Sequence, residues 1–351
     1  MVRISVIIVN HNGQHLLGAL FASLAQQTRA ADEVLLIDNA STDGSVASTR
    51  IHFPWVRVIE SSTNIGFAEG ANLGAAQARG EYVALLNSDT VVDPGWLAAL
   101  MQPLETDARV GIVVSKIYLA ESGGVIDCAG AEFNNLGFCW GRGAHELDRG
   151  QFDAPMDVPA ATACAMAVRR EALGGEPLFD RQLFMYYEEL DLSLRIRGRG
   201  YRIVYAPSSI VHHKRSQTVQ HVARQPLLFC QWYGNRNRVK LLAKYYPAPV
   251  LLRSLPLICL SLAYWDSIFL LRGGPRCFVR AVIGQIHFAW SGLRERWRGS
   301  DVRPATWLPW MTTQRLRDLL ALRATFFRRK TTDSTEAVPA PAAAPDLVTH
   351  G

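Results

Sequence analysis

A chain of 351 residues, 49% hydrophobic and 19% charged, has enough apolar side chains for a large core, which excludes bulk disorder and collagen-like repeats. Its six cysteines (Cys128, Cys139, Cys164, Cys230, Cys259, Cys277) contain no C-x-x-C pair, which argues against a zinc ribbon, a thioredoxin-type site or a disulfide scaffold and fits a reducing compartment. The net charge of +6 is uneven: residues 272–330 carry 13 Lys and Arg against 3 Asp and Glu, so the basicity is C-terminal and points to an anionic surface, phospholipid or nucleic acid. The apolar run Val6 to Val9 is too short for the core of a signal peptide, and the chain is expected to begin directly with structure.

Arg3 to Val9 (RISVIIV) is β-branched and almost continuously apolar, the pattern of a strand buried on both faces in a parallel sheet. A helical pattern over Leu16 to Gln27 follows, then a second buried strand, Glu33 to Asp38, which ends in the turn-rich Asn39 to Gly44. Val56 to Ile59 predicts a third strand, Phe67 to Ala78 a small-residue helix, and Tyr82 to Leu86 a fourth strand entering Asn87-Ser88-Asp89. Strands alternating with helices predict a doubly wound α/β sheet. Ligands of such sheets bind beyond the carboxyl ends of the strands, where this sequence places Asn10, Asn12, Asp38, Asn39, Asn64, Asn87 and Asp89.

From Gly111 the texture changes to short strands and Gly-rich turns, then to an Ala-rich run from Val158 to Val168. The block Phe184 to Asp191 leads into a helix through Arg199 that Gly200 ends, and a strand from Tyr201 to Tyr205 is closed by Pro207. Residues 1–230 are read as one continuous domain, 1–120 its nucleotide-binding half and 121–230 its acceptor half. Residues 231–330 are read as a helical, apolar and basic region, and 331–351, with their Ala-Pro run, as a disordered tail. Asn235-Arg-Asn-Arg238 opens a helical pattern through Tyr246. In the apolar stretch Ser254 to Leu271 the longest uncharged run, Ser254 to Trp265, is 12 residues against the roughly 20 that a spanning helix needs. An interfacial or re-entrant segment at a membrane surface is expected, flanked by Arg and by Trp290, Trp297, Trp307 and Trp310. Its apolar character favours lipid over nucleic acid.

The polar clusters suggest chemistry. Asn87 and Asp89 point to one side of a strand end and Ser88 to the other, a spacing of oxygen ligands that suits Mg²⁺ or Mn²⁺ shared with substrate phosphates; an N-cap for the helix opening at Asp93-Pro94 is the competing role for Asp89. Asp38 is a hydrogen-bond acceptor for a nucleoside or the head of an Asx turn. Asn64-Ile-Gly-Phe-Ala-Glu-Gly-Asn72 puts Gly66 and free backbone N–H groups at a strand-to-helix junction, an approach for a diphosphate. Glu188, Glu189 and Asp191 either complement a helix dipole or supply a buried general base, its pKa raised by the aromatic run before it. One of the pair His212-His213 completes a metal shell.

Together Val6 to Asn12, Ile37 to Gly44, Asn64 to Asn72, Leu86-Asn-Ser-Asp89 and Tyr187-Glu-Glu-Leu-Asp-Leu-Ser-Leu-Arg195 resemble the family 2 inverting glycosyltransferases, in their bacterial rhamnosyltransferase-like branch. The resemblance covers residues 2 to about 246 and implies a GT-A fold, a Rossmann-like, mostly parallel central sheet. It also implies that Asp38 contacts the nucleotide, with Asn10, Asn12, Asn64, Gly66, Asn72, Asn87 and Ser88 around the nucleotide-sugar. By the same resemblance Asp89 and His213 bind a divalent metal, Mg²⁺ or Mn²⁺, and Glu188-Glu189 takes the place of a Glu-Asp catalytic dyad. The chain departs from the family where Asn87 replaces the first Asp of the metal motif and Glu189 the expected base Asp, which makes Asp191 a rival base. The implied reaction moves a sugar, dTDP-rhamnose being the first donor candidate ahead of UDP-hexoses or a UDP-linked N-acetylhexosamine. The acceptor is a lipid-linked glycan or a surface polysaccharide, at the cytoplasmic face of the cell membrane.

Two other functions compete. A nucleotidyltransferase would need a Gly-rich, Lys- or Arg-bearing loop after the first strand, where Asn10-His-Asn-Gly13 stands. A non-catalytic nucleotide-sugar or glycan binding protein at the membrane would keep Asp38 and Asp89 without needing the carboxylates at 188 to 191.

Overall fold

The computed structural model describes residues 4–215, 226–299 and 303–313. The tail expected to be disordered, 331–351, lies outside the described residues. The first half alternates as the apolar pattern requires: β1 (Ile4–Asn10), α1 (Gln14–Ala25), β2 (Glu33–Asn39), α2 (Ser45–His52), β3 (Val56–Ser61), α3 (Gly66–Gln77) and β4 (Tyr82–Leu86). After β5 (Thr90–Val92) and α4 (Trp96–Thr106) come β6 (Val110–Leu119), β7 (Ile126–Cys128), β8 (Ala131–Phe133), β9 (Cys139–Gly141), β10 (Met156–Asp157) and β11 (Ala165–Arg169). Then α5 (Glu188–Gly198), β12 (Arg202–His213), α6 (Pro226–Tyr245), α7 (Ala248–Trp297) and a short α8 (Pro304–Trp307) complete the described chain.

The central sheet runs β10-β12-β6-β11-β4-β1-β2-β3. β1 pairs parallel with β2 and β4, β2 with β3, and β6 with β12, whereas β11 is antiparallel to both its neighbours. β3, β2, β1, β4, β6 and β12 therefore share one direction, and their carboxyl ends open on one edge. One face of the sheet is covered by α1 and α4 through Leu17, Leu20, Phe21, Trp96 and Leu100. The other is covered by α3 and α5 through Ala68, Ala71, Leu192 and Ile196. Both faces of β1 and β2 are thus buried, the physical reason for their unbroken apolar runs.

Three features differ from the sequence reading. β12 does not stop at Pro207: its register against β6 slips between Ala206 and Ile210, and this irregularity takes up the proline while the strand continues to His213. α6 begins nine residues before the expected Asn235, so the boundary drawn at 230 falls inside a helix. The apolar stretch Ser254 to Leu271 is not a separate segment but most of one arm of a helical hairpin that starts at Ala248. Gly274 breaks α7 with φ 76° and ψ 176°, followed by Pro275. Gln285 then donates to Asp266 Oδ1 at 2.8 Å, although the two are 19 residues apart, about 28 Å along a straight helix. By length and composition alone this helix is long and apolar enough to cross a membrane. A third core joins Leu190 and Leu194 of α5 to Leu241, Leu242 and Tyr245 of α6, Ile258 of α7 and Trp307, so the C-terminal helices pack directly on α5.

Candidate active site

The sequence-predicted residues sit on the carboxyl edge of the sheet. At the end of β1, Asn10 is fully buried and its Nδ2 donates to Asp38 Oδ1 at 3.3 Å and Ser41 Oγ at 3.1 Å. Asp38 also accepts from the Ser41 N–H at 2.9 Å, three residues on, so the turn is closed on the Asp38 side chain. Asn12 accepts from the Thr42 N–H at 2.8 Å, and beside it a groove of about 570 Å³ is lined by Gln14, His15, Asp43 and Ser48.

Asn64 Oδ1 accepts from Asn39 Nδ2 and from the Gly66 N–H, which fixes the start of α3. Gly66 has φ +81°, and a Cβ there would stand 2.4 Å from the Phe184 ring and 2.7 Å from the Phe184 carbonyl oxygen. Only glycine permits that approach, which brings the α3 N-terminus against the loop preceding α5. Asn72 is not open toward this edge: its side chain accepts from the Phe179 N–H at 2.8 Å and donates to the Phe179 carbonyl at 3.0 Å. It clamps α3 to the 179 segment.

Asp89 lies beyond β4 and is buried with Ser88, while the Asn87 N–H donates to the Cys164 carbonyl. β5 pairs antiparallel with β12, with Thr90 opposite His213. This register puts His213 Nε2 3.1 Å from Asp89 Oδ1, so Asp89 is paired with histidine rather than capping α4. His213 Nδ1 is 2.7 Å from Asp127 Oδ2 on β7. His212 points the other way, to Asp93 at 3.1 Å and onto the Tyr118 ring, as alternation along a strand requires.

The carboxylates at the start of α5 divide into two groups. Phe184, Tyr186 and Tyr187 all have positive φ (60°, 67° and 72°), a run costly for side chains with a Cβ and typical of functional sites. It delivers Glu188, buried, and Glu189, partly exposed, with Oε2 of each buried without a hydrogen-bond partner. Burial pushes the Glu189 carboxyl up to about 7, and burial together with the neighbouring Glu189 raises Glu188 well above the carboxylate range. Asp191 is different. Burial opposes its ionisation, but Lys244 at 2.9 Å, Arg195 at 2.8 Å and the Tyr245 hydroxyl at 2.6 Å outweigh it and hold the carboxyl below its usual range. Both its oxygens are occupied and it faces α6, not the edge where Glu189 stands.

One short segment ties the two acidic regions together. Ala161 N–H donates to Ser193 Oγ, which donates to the Glu189 carbonyl, while Cys164 O accepts from Asn87 N–H. Ala161 and Cys164 are three residues apart, at most about 11 Å of extended chain. The ends of β4 and α5 are therefore held on the same side of the molecule.

The Asp89–His213 pair, in direct contact here, also has the spacing of two ligands to one divalent ion. Ligands on adjacent corners of an octahedron with bonds of about 2.1 Å stand roughly 3.0 Å apart, against the 3.1 Å found. With Nδ1 turned to Asp127, Nε2 is the nitrogen left for a metal. No cluster of three or more protein ligands exists among the described residues, so further oxygens have to come from a bound phosphate or water. Asp127 escaped the sequence reading because it lies 86 residues from His213 in a Gly-rich stretch with no periodic signal. Asn237, described below, sat in a segment read only as the start of a helix.

A mixed, mostly parallel α/β sheet of this order is that of the GT-A fold. Residues 5–174 match Glycosyl transferase family 2: the chain carries a domain of that family and is a glycosyltransferase. Among its relatives, N-acetylglucosaminyl-diphospho-decaprenol L-rhamnosyltransferase of Mycobacterium tuberculosis is 29% identical over 239 residues, which cover 61% of this chain and 76% of that protein. An O-antigen biosynthesis protein of Myxococcus xanthus is 30% identical over 227 residues, 60% of this chain and 17% of that one. In fold, the chain is similar to GalNAc-T7 with UDP, GalNAc and Mn²⁺ (TM-score 0.55, 21% identity, 71% of this chain and 49% of that one). It is also similar to a mannosyltransferase from Pyrobaculum calidifontis with GDP-Man and Mn²⁺ (TM-score 0.50, 18% identity, 93% and 81%).

Proposed function

We propose that this glycosyltransferase transfers a sugar, with inversion, from a nucleoside-diphosphate donor to a lipid-linked or polysaccharide acceptor at the inner face of the cell membrane. Rhamnose from dTDP-rhamnose is the preferred donor, supported by the rhamnosyltransferase of M. tuberculosis, and the acceptor class rests on that relative's diphospho-decaprenol substrate. The observation that carries the catalytic reading is the pair Glu188–Glu189, with two buried unpartnered oxygens, tied through 161–164 to the Asp89–His213 pair.

In this reading Asp38, Asn10 and Asn12 receive the nucleoside, and the diphosphate lies toward the start of α3, where the N–H groups of Ile65, Gly66 and Ala68 are already held by Asn39, Asn64 and Phe184. Asp89 and His213 would hold Mg²⁺ or Mn²⁺, which when bound neutralises charge on the departing nucleoside diphosphate. Glu189 takes the proton from the acceptor hydroxyl, and Glu188, largely protonated beside it, keeps the pair from carrying two charges. Attack on the anomeric carbon from the face opposite the leaving group forms the new C–O bond as the C–O bond to phosphate breaks. Asp191, neutralised by three partners, keeps a structural role.

Residues 1–230 would form the transferase domain, with its nucleotide half at 1–120, and the C-terminal helices the membrane-associating part. Exposed Leu252, Leu260, Leu271, Ile283 and Trp297 on α7, among its arginines, support this placement. Mixing dTDP-rhamnose, Mn²⁺ and a prenyl-diphosphate N-acetylglucosamine with the full chain should release dTDP. A nucleotide-sugar that binds but is never turned over with any such acceptor would instead favour the non-catalytic binding protein.

A further inference from the structure

The lysines of α6 that face inward are neutralised by carboxylates. Lys240 pairs with Asp180 and with Glu295 at 2.7 Å, and Lys244 with Asp191 and Glu295, each at 2.9 Å. Arg238, fully buried, donates to the Leu136 carbonyl, Ser261 Oγ and Asn235 Oδ1. Arg238 is thus held by neutral acceptors alone, and Arg236 has a single acceptor among the described residues. Its guanidinium carbon lies 4.2 Å from the ring centre of Trp232, 4.4 Å from Tyr233 and 4.3 Å from Phe288. Its Nε donates to Asn237 Oδ1 at 3.3 Å, and no carboxylate pairs with it among the described residues. The residue is half-buried.

A cation held out of water without an anion is unfavourable, and contact with aromatic faces returns only part of the loss. Burial lowers Arg236 to about 10, so it remains charged at neutral pH. Three rings surround the guanidinium, whose paired N–H groups match two phosphate oxygens in a way a lysine cannot.

The surroundings say which phosphate. Tyr233 stacks on Phe184 (5.0 Å between ring centres, 16° between planes), so the bed adjoins the loop that delivers Glu188 and Glu189. Phe288 belongs to the second arm of α7, on which Ile283, Ile286 and Trp290 are exposed. The donor's diphosphate has its own candidate site at Asp89 and His213. An anion attached to an apolar chain matches a lone guanidinium beside an exposed apolar helix face.

We propose that Arg236, on its bed of Trp232, Tyr233 and Phe288, is the recognition site for the diphosphate of a prenyl-diphosphate-linked acceptor, the exposed residues of the second α7 arm receiving the prenyl chain. This deepens the acceptor reading given under Proposed function and rests on it.

The test uses the full chain, with farnesyl diphosphate, farnesol and inorganic pyrophosphate as acceptor probes and dTDP with Mn²⁺ as the donor probe, binding being followed by calorimetry. Wild type should bind farnesyl diphosphate at least tenfold tighter than farnesol or pyrophosphate. Arg236→Gln should lose at least tenfold for farnesyl diphosphate and keep wild-type affinity for dTDP, while Arg236→Lys recovers only part. Unchanged farnesyl diphosphate binding in Arg236→Gln, equal binding of pyrophosphate, or a matching loss for dTDP would each overturn the assignment. Loss of dTDP binding on Asp89→Asn, with farnesyl diphosphate binding intact, supports two separate phosphate sites. Failure of wild type to bind dTDP while it binds farnesyl diphosphate through Arg236 would count against the donor reading alone.

Discussion

The side-chain amide of Asn237 donates to the carbonyl oxygen of Tyr186 at 2.8 Å, across 51 residues of sequence. The same Nδ2 also reaches the carbonyls of Leu183 at 2.8 Å and Met185 at 2.9 Å, and Asn237 is fully buried. One amide of α6 thus ties down the backbone that carries three positive φ angles into Glu188 and Glu189. A helix in the C-terminal part thereby sets the geometry of the candidate base.

Asn237→Ala should therefore lower kcat by about 10- to 100-fold, the penalty of a misplacement near 1 Å, and leave the KM for the sugar nucleotide near wild type. Steady-state kinetics with donor and acceptor varied separately decide it. A variant that melts earlier but keeps wild-type kcat at low temperature would reduce Asn237 to a structural tie.

The pH dependence follows from Glu189. A base with its carboxyl near 7 is mostly protonated at pH 6, so kcat/KM should rise with pH through about 7 and then level, and Glu189→Gln should abolish that limb together with a factor of about 10² to 10⁴ in rate. Stability runs the opposite way. The folded protein retains a proton that the unfolded chain releases above about 4.5, so stability falls as pH rises from about 4.5 to 7 and stays reduced above it. Glu189→Gln should then melt several degrees higher than wild type at pH 8, and the difference should vanish near pH 4. Equal melting temperatures at pH 8 would show that the carboxyl ionises without penalty.

Asp191 tests the division of labour at α5. Removing a buried carboxylate from between Arg195 and Lys244 leaves them to more exposed partners, Glu176 and Glu295, and breaking such a buried pair typically costs about 3–5 kcal/mol. Asp191→Asn is expected to lower the melting temperature strongly and to retain turnover in proportion to the folded fraction. Full stability with no turnover would return the base role to Asp191.

Much of this was legible beforehand. Unbroken apolar runs specify β1, β2 and β4 because both sheet faces are covered, and polar residues just past them mark the ligand-binding edge. What stayed hidden depends on contacts across long separations. Nothing in Glu188-Glu189-Leu-Asp191 says which carboxylate meets cations, because Lys244 and Tyr245 come from a helix more than 50 residues on. Asn72 shows the same limit: it is a plausible ligand contact by residue type, yet the fold engages it in a clamp to Phe179. The α7 hairpin was invisible because a single Gly274-Pro275 break, not hydropathy, decides that two arms fold together.

Membrane association is tested on α7. Replacing Leu252, Leu260, Leu271 and Ile283, all exposed, with Ser removes apolar surface without opening the core. Flotation with vesicles containing anionic lipid should carry wild type to the top of the gradient and leave this variant in solution, and high salt should weaken wild-type binding through the arginines. Equal flotation of both proteins would place the anchor elsewhere.

The contact between His213 and Asp127 leads to a prediction about metal affinity. Asp127 Oδ2, 2.7 Å from Nδ1, accepts the Nδ1 proton, so Nε2 is the nitrogen that faces Asp89, and a metal there would displace the proton that Nε2 shares with Asp89 Oδ1 at 3.1 Å. Arg215, 2.9 Å from the other oxygen of Asp127, keeps that carboxylate in place. Loss of such an outer partner typically weakens a metal site by 10- to 100-fold. Asp127→Asn should accordingly bind Mn²⁺ more weakly in the presence of dTDP, read by the electron paramagnetic resonance signal of free Mn²⁺, and His213→Ala more weakly still. If the double variant is no weaker than His213→Ala alone, Asp127 acts through His213; if the two losses are independent, Asp127 contributes by another route.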